Sequence, residues 1–239
     1  MTLGTFLVIA LAVLVGSTVQ SVVGLGIGLV SAPVITLLEP ALMPGTLIML
    51  ALVLPVLTLV RDHDDIDWPG LTWSLPARML GTGIGVWVVT LFTERQLGIA
   101  VGVMVIFMVL ITWLVFEVPV NRGTLSTAGF IGGITGTATS IGGPPFALLY
   151  MNRPAQQIRT TMAVYFLIGA ALSLGGLVIA GDLTGAQLRA ALELSPALLV
   201  GVVVGALSRR HLPVGFVKPA VLVVSATSAL VLLVRSLMG

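Results

Sequence analysis

The residues best suited to bind a ligand lie in two glycine-rich segments. In the first, a glutamine is followed by three glycines at alternate positions: Gln20, Gly24, Gly26 and Gly28. In the second, hydroxyl side chains precede a Gly-Gly-Pro-Pro sequence, and the candidate residues are Thr137, Thr139, Ser140, Gly142 and Gly143. Glycine allows sharp turns and close backbone approach, and a proline pair resists continuation of a helix. Each segment therefore predicts an interrupted helix, whose freed amides and uncharged side chains would bind a small anion.

The same glycines also have a simpler interpretation, which is close packing of helices. Glycines spaced four apart, such as Gly24 and Gly28 or Gly132 and Gly136, fit the GxxxG pattern of packed membrane helices. Packing is the simpler explanation for any one glycine. A matched pair of breaks in the two halves of a chain, however, is typical of a transporter substrate site.

Three charged residues near apolar segments are further candidates. Arg153 and Arg159 would gather anions on the cytoplasmic side, or would only set the orientation of the chain in the membrane. Glu193 would serve as a proton relay within an apolar segment, or would pair with Arg189 one helical turn earlier. The sequence leaves these alternatives open.

The most polar stretch, residues 61–67, contains four aspartates and one histidine. It lacks the sixth-position glycine and the distal glutamate of a calcium-binding loop, so a solvated acidic loop is predicted. The chain has no cysteine and no HExxH, GxSxG or GxxxxGK[ST] motif, which argues against an enzyme and against direct use of ATP. We predict no cofactor, no bound metal and no nucleic-acid partner.

Composition indicates which elements must position these residues. Apolar residues make up 57% of the 239 residues and charged residues only 8%, and the mean hydropathy is +1.16. Soluble domains average roughly 25% charged residues, so a bilayer is the solvent that fits this chain. Continuous apolar runs near span length, such as residues 97–116, predict helices rather than the alternating strands of a barrel. The predicted fold class is an all-α integral membrane protein.

Hydropathy and the positions of proline, glycine and charge define ten apolar segments. They are predicted at residues 3–17, 22–38, 43–60, 71–92, 97–116, 124–134, 141–151, 160–180, 188–207 and 214–234. Trp68, Trp73 and Trp113 are suited to the membrane interface. Whether the segments that carry the two breaks cross the membrane or form re-entrant hairpins is left open.

An internal repeat relates the two halves of the chain. A proline, an alanine and two glycines recur with the same spacing 120 residues later: Pro76, Ala77, Gly81 and Gly85 match Pro196, Ala197, Gly201 and Gly205. Upstream, an offset of 114 superposes Gly28 on Gly142. Two repeats of about five segments each, residues 1–120 and 121–239, are therefore predicted within one membrane domain. Because five is odd, the second repeat would have inverted topology.

The distribution of basic residues agrees with five membrane crossings in each repeat. With ten crossings and both termini outside, most basic residues fall on inside flanks, as the positive-inside rule requires. The inside set is Arg61, Arg78, Arg122, Arg153, Arg159, Arg209, Arg210 and Lys218, and the outside set is Arg95, Arg189 and Arg235.

Two motifs carry a resemblance to a known family. The more specific is GFIGGITGTATSIGGPPFALLYM at residues 129–151, followed by Pro154 and Arg159-Thr160, and its first-half counterpart is VQSVVGLGIGLVSAPVI at residues 19–35. With these motifs and its internal duplication, the chain resembles the sulfite exporter TauE/SafE family of permeases. The resemblance implies transport of small anions, chiefly sulfite, sulfonates and related sulfur compounds, with coupling to the proton gradient.

The expected function is therefore a secondary transporter that works by alternating access in the cell (inner) membrane as a multi-pass protein. Its expected partners are a small anionic substrate and membrane lipid, and homo-oligomer formation is left open. A passive anion channel is the main alternative, and an intramembrane enzyme is a weaker one.

Overall fold

The computed structural model of the chain is helical throughout the residues that it describes, which are 1–24, 26–114, 118–208 and 214–238. In chain order the helices are α1 (Leu3–Val23), α2 (Ile27–Leu38), α3 (Gly45–Ala51), α4 (Val53–Arg61), α5 (Trp68–Leu91), α6 (Glu94–Leu114), α7 (Arg122–Thr139), α8 (Pro144–Tyr150), α9 (Ala155–Ala180), α10 (Gly185–Ser208) and α11 (Val214–Met238). A 3-10 turn, Pro40–Leu42, lies between α2 and α3. The predicted all-α fold class is confirmed over this part of the chain.

Large apolar side chains cover the outside of the bundle, and small polar side chains lie inside it. Leu80, Ile179 and Leu207 are at least 70% exposed, whereas Ser31 and Thr46 are fully buried. Soluble proteins have the opposite arrangement, and lipid is the solvent that accepts such a surface. Within the described residues, α1, α5, α9 and α10 are long and apolar enough to cross a membrane. The chain is therefore a multi-pass membrane protein.

Both predicted helix breaks are present, but the helices that precede them are longer than predicted. The first apolar segment was expected to end at residue 17, and α1 continues to Val23. The sixth was expected to end at residue 134, and α7 continues to Thr139. The extra turn of α7 contains hydroxyl residues, which a helix accommodates when they bond back to a carbonyl of the preceding turn. Thr139 does this by donating to the carbonyl oxygen of Thr135 at 2.7 Å.

The helices that follow the breaks are too short to cross a bilayer. α2 has 12 residues and α8 has 7, which correspond to lengths of about 18 Å and about 10 Å at 1.5 Å per residue. The hydrocarbon core is roughly 30 Å thick, so neither helix spans it. The third predicted segment is also divided, because α3 ends at Ala51 and α4 begins at Val53.

Glycines of the predicted repeat lie where helices approach most closely. α5 packs most extensively against α7, and α1 packs against α10. A Cβ atom on Gly81 would collide with the carbonyl oxygen of Phe130 in α7, and one on Gly201 would collide with the carbonyl oxygen of Leu14 in α1. Small residues at these positions let the backbones pack directly, as in other membrane helix pairs.

Candidate functional site

The two helix breaks line one common cavity inside the bundle. Its volume is about 60 Å³. A water molecule needs roughly 15 Å³ of such volume, so the cavity holds about four water-sized atoms. Residues from α1, α2, α3, α5, α7, α8 and α9 contribute to its lining, and the polar side chains among them are Gln20, Arg78, Ser140 and Ser173. The size and polarity suit a small polar solute rather than a large organic molecule.

Gln20 organises the first break. Gly24 caps the C-terminal end of α1, and its φ of 89° is in the left-handed region that favours glycine. The side-chain Oε1 of Gln20 accepts a hydrogen bond from the backbone N–H of Ile27 at 3.0 Å. This bond satisfies one of the amides that the start of α2 leaves without a helical partner. Gln20 therefore joins the end of α1 to the start of α2.

Ser140 organises the second break. It follows the last residue of α7 with a φ of 61°, and its Oγ donates to the carbonyl oxygen of Pro44 at 3.1 Å. α8 then begins at Pro144, at a position where a helix has no use for the missing N–H. The hydrogen bond to Pro44 attaches this break to the segment before α3.

The two breaks are in direct contact. A Cβ atom on Gly28 would lie 2.7 Å from the carbonyl oxygen of Ser140, closer than an unstrained contact allows. A residue with a side chain at position 28 would therefore separate the breaks. The glycine at this position is needed for the close approach and not for its own backbone conformation.

Most predicted substrate residues line the cavity: Gln20, Gly26, Gly28, Ser140, Gly142 and Gly143. The other three lie elsewhere. Gly24 is exposed at the end of α1. Thr137 is buried, and its hydroxyl lies 2.8 Å from the hydroxyl of Ser173, which lines the cavity. Thr139 bonds to its own helix. Thr137 thus supports a lining residue, and the other two are not in contact with the cavity.

The charged candidates lie away from the cavity. Arg153 and Glu193 are exposed. Arg159 forms an ion pair with Asp62, with Nη2 and Oδ2 3.1 Å apart. The structure does not show the pairing of Glu193 with Arg189 that was one of the two alternatives, because both side chains are exposed and the described residues contain no ion pair between them.

The acidic loop has structural contacts. Asp67 caps α5 by accepting from the backbone N–H of Gly70 at 3.1 Å, and its Oδ2 accepts from the hydroxyl of Tyr150 at 2.7 Å. The described residues contain no group of histidine and carboxylate side chains placed to hold a metal ion. The loop is therefore less solvated than predicted, because Asp62 and Asp67 both have protein partners.

Arg78 lines the cavity, although the pattern of basic residues predicted it on an inside flank. It lies within α5 and is 3% exposed. The carbon at the centre of its guanidinium lies 4.1 Å from the ring centroid of Tyr165. The sequence did contain the signal, since a charged residue inside an apolar segment of span length marks a functional site by default.

Interrupted helices around a buried polar cavity, within a bundle of helices long and apolar enough to cross lipid, are typical of membrane permeases. The family model described as sulfite exporter TauE/SafE matches residues 8–232, which is nearly the whole chain. The chain belongs to this family of membrane sulfite exporters. No significant match is found among curated proteins or among solved structures.

Proposed function

We propose that the protein is a secondary transporter that exports small sulfur-containing anions, such as sulfite or organosulfonates, across the inner membrane. The family supports this substrate class. The position of the site follows from one observation, which is that both helix breaks line the same cavity. Its amides, hydroxyls and guanidinium would replace the water shell of an anion during transport.

Matched contacts support a pair of repeats with inverted topology. α7 lies on α5 much as α1 lies on α10. Gly81 meets Phe130 in the first pair, and Gly201 meets Leu14 in the second. α5 therefore packs on α7, the counterpart of α1, and α1 packs on α10, the counterpart of α5. This exchange is expected of two intertwined repeats.

The contacts favour a different register at the breaks from the one predicted from sequence. Gly26 approaches the backbone of Gly16, and Gly142 approaches the backbone of Gly132. Gly132 lies 116 residues after Gly16, and Gly142 lies 116 residues after Gly26. The sequence pattern instead matched Gly28 with Gly142, at an offset of 114. In the proposed repeat, Gly26 and Gly142 are equivalent positions, and Gly28 has no matching glycine.

Two sets of hydrogen bonds between the halves suit alternating access. Asp67, just before α5, accepts from the hydroxyl of Tyr150 at 2.7 Å. Gln187, in the first turn of α10, donates from Nε2 to the carbonyl oxygens of Ala41 and Met43, both at 3.2 Å. Asp67 and Gln187 are 120 residues apart, which is the repeat offset. In an inverted repeat these contacts would lie on opposite sides of the membrane, so that one could open while the other stays closed.

Proton coupling in this proposal does not depend on a carboxylate at the site. The residues that line the cavity, all of them described, include no aspartate or glutamate. An oxyanion that binds together with its own proton would carry that proton in the same direction, so an inward proton gradient would not drive export and the gradient of the anion itself would. Flux should then increase when a pH gradient raises the protonated fraction of the anion on the side from which it leaves.

Flux measurements in proteoliposomes test the proposal. Purified protein should move sulfite, and it should move it faster than longer sulfonates, because the cavity is small. Substrate on the opposite side should accelerate uptake, since counterflow is a property of a carrier. Sulfite flux without counterflow would favour the passive channel, and no flux of any anion above that of protein-free liposomes would contradict transport.

A further inference from the structure

Arg78 brings a positive charge to the cavity that no described residue neutralises. The side chain is 3% exposed, and its Nε and Nη1 atoms are buried without a hydrogen-bond partner. The ion pair found in the described part of the chain, between Arg159 and Asp62, lies elsewhere. Burial of a charge is unfavourable unless it is paired, and the contact with the ring of Tyr165 compensates for it only in part. The cavity therefore favours an occupant with negative charge.

Aromatic and glycine neighbours hold the guanidinium at the cavity. It lies over the ring of Tyr165, which stacks on Phe146 with ring centroids 4.0 Å apart. A Cβ atom on Gly169 in α9 would overlap the guanidinium, and one on Gly136 in α7 would lie 3.3 Å from Nη2. The two glycines thus leave the space that the charged group occupies. A group held so closely is fixed in position before any ligand binds.

The fold itself does not require an arginine at this place. At the repeat offset of 120, the counterpart of Arg78 is Leu198, which is 1% exposed in an apolar core cluster. Both residues follow a Pro-Ala pair within a long helix. The first half therefore has a buried charge where the second half has a buried hydrocarbon side chain. A difference of this kind between equivalent positions indicates a role in ligand binding.

We propose that Arg78 is the counter-charge for the transported anion, and that it selects anions over neutral solutes of the same size. The identity of the anion rests on the proposed function, but its binding can be measured without transport. The ligand class is a small oxyanion of about four heavy atoms, the number that the cavity volume accommodates. Charge-assisted hydrogen bonds from the guanidinium would bind it, and Gln20 and Ser173 lie at the same cavity.

Binding of sulfite to purified Arg78 variants tests this role. Dimethyl sulfone, which is neutral and of similar size, serves as the control ligand. Arg78→Met should weaken sulfite binding by about 100-fold or more, the usual consequence of leaving a buried charge unpaired. Arg78→Lys keeps the charge but loses the planar group that lies over Tyr165, so it should weaken binding less than Arg78→Met does. Neither variant should change the binding of the sulfone, and wild-type affinity for sulfite in folded Arg78→Met protein would overturn the proposal.

Thermal unfolding separates this role from a structural one. Without anion, Arg78→Met should melt at the wild-type temperature or above it, because an unfavourable buried charge has been removed. Sulfite should raise the melting temperature of the wild-type protein but not that of the variant. A variant whose melting temperature sulfite raises as much as that of the wild-type protein would overturn the proposal, because the anion would then bind without Arg78.

A matched pair of glycine variants tests the same point without altering Arg78. Gly169→Ala should displace the guanidinium and reduce sulfite affinity at least about tenfold, since small misplacements of a binding group have large effects. Gly175→Ala, in the same helix, is the control, because a Cβ atom there meets nothing within 4 Å. Equal sulfite affinities of the two variants would overturn the proposal. Absence of sulfite binding and flux in the wild-type protein would instead contradict the proposed function.

Discussion

Gly28→Ala is the sharpest test of the contact between the two helix breaks. The added Cβ atom would lie 2.7 Å from the carbonyl oxygen of Ser140. An unstrained carbon–oxygen contact is about 3.3 Å, so the breaks must separate by about 0.6 Å. Overpacking of this kind costs about 1–3 kcal/mol. For a chain of this length it corresponds to a melting temperature lower by about 2–12 °C.

The same displacement should reduce transport, because Gly28 and Ser140 both line the cavity. We expect sulfite flux to fall about tenfold or more, since sub-ångström shifts of binding groups have effects of this size. Gly83→Ala is the matched control, because Gly83 is exposed on α5 and a Cβ atom there meets nothing within 4 Å. Wild-type melting and flux in Gly28→Ala protein would refute the direct contact between the breaks.

Tyr150→Phe should destabilise the protein by about 1–3 kcal/mol, because it removes the hydrogen bond to Asp67; an unchanged melting temperature would contradict this. Arg159→Gln should change stability by less than about 1 kcal/mol, because its ion pair with Asp62 is partly exposed. Its sulfite flux should stay at the wild-type level, and a clear loss of flux would restore Arg159 as an anion-attracting residue. Glu193→Gln should leave the response of flux to a pH gradient unchanged, because the side chain is exposed; loss of that response would restore Glu193 as a proton relay.

The positions of the two breaks were predictable because their causes are local. Gly24 has a left-handed backbone conformation, and Pro144 begins a new helix. The residue type favours each of these features without contacts from distant parts of the chain. The ends of the preceding helices were not predictable to the same degree. Thr137 and Thr139 were expected in the break, but both remain helical, because one hydroxyl bonds across to Ser173 and the other bonds back to its own helix.

The charged residues show where local reasoning fails. Arg78 and Arg159 were both expected on inside flanks, yet one is buried at the cavity and the other pairs with Asp62 on a partly exposed surface. Hydropathy depends on the type of each residue and does not show in which direction its side chain extends from the helix. The direction depends on the neighbours, and for Arg78 these are Tyr165 and Gly169 on α9, far along the chain.

By itself, the sequence determined the solvent, the secondary structure class, the two interrupted helices and the family, because these depend on composition and on short runs of residues. Only the tertiary structure decided that the breaks touch, that their contacts match at an offset of 116, and that Arg78 supplies the charge at the cavity. These features depend on the rotation of each helix about its axis and on how closely pairs of helices pack. Packing between distant segments sets both quantities, and no local pattern in the chain encodes them.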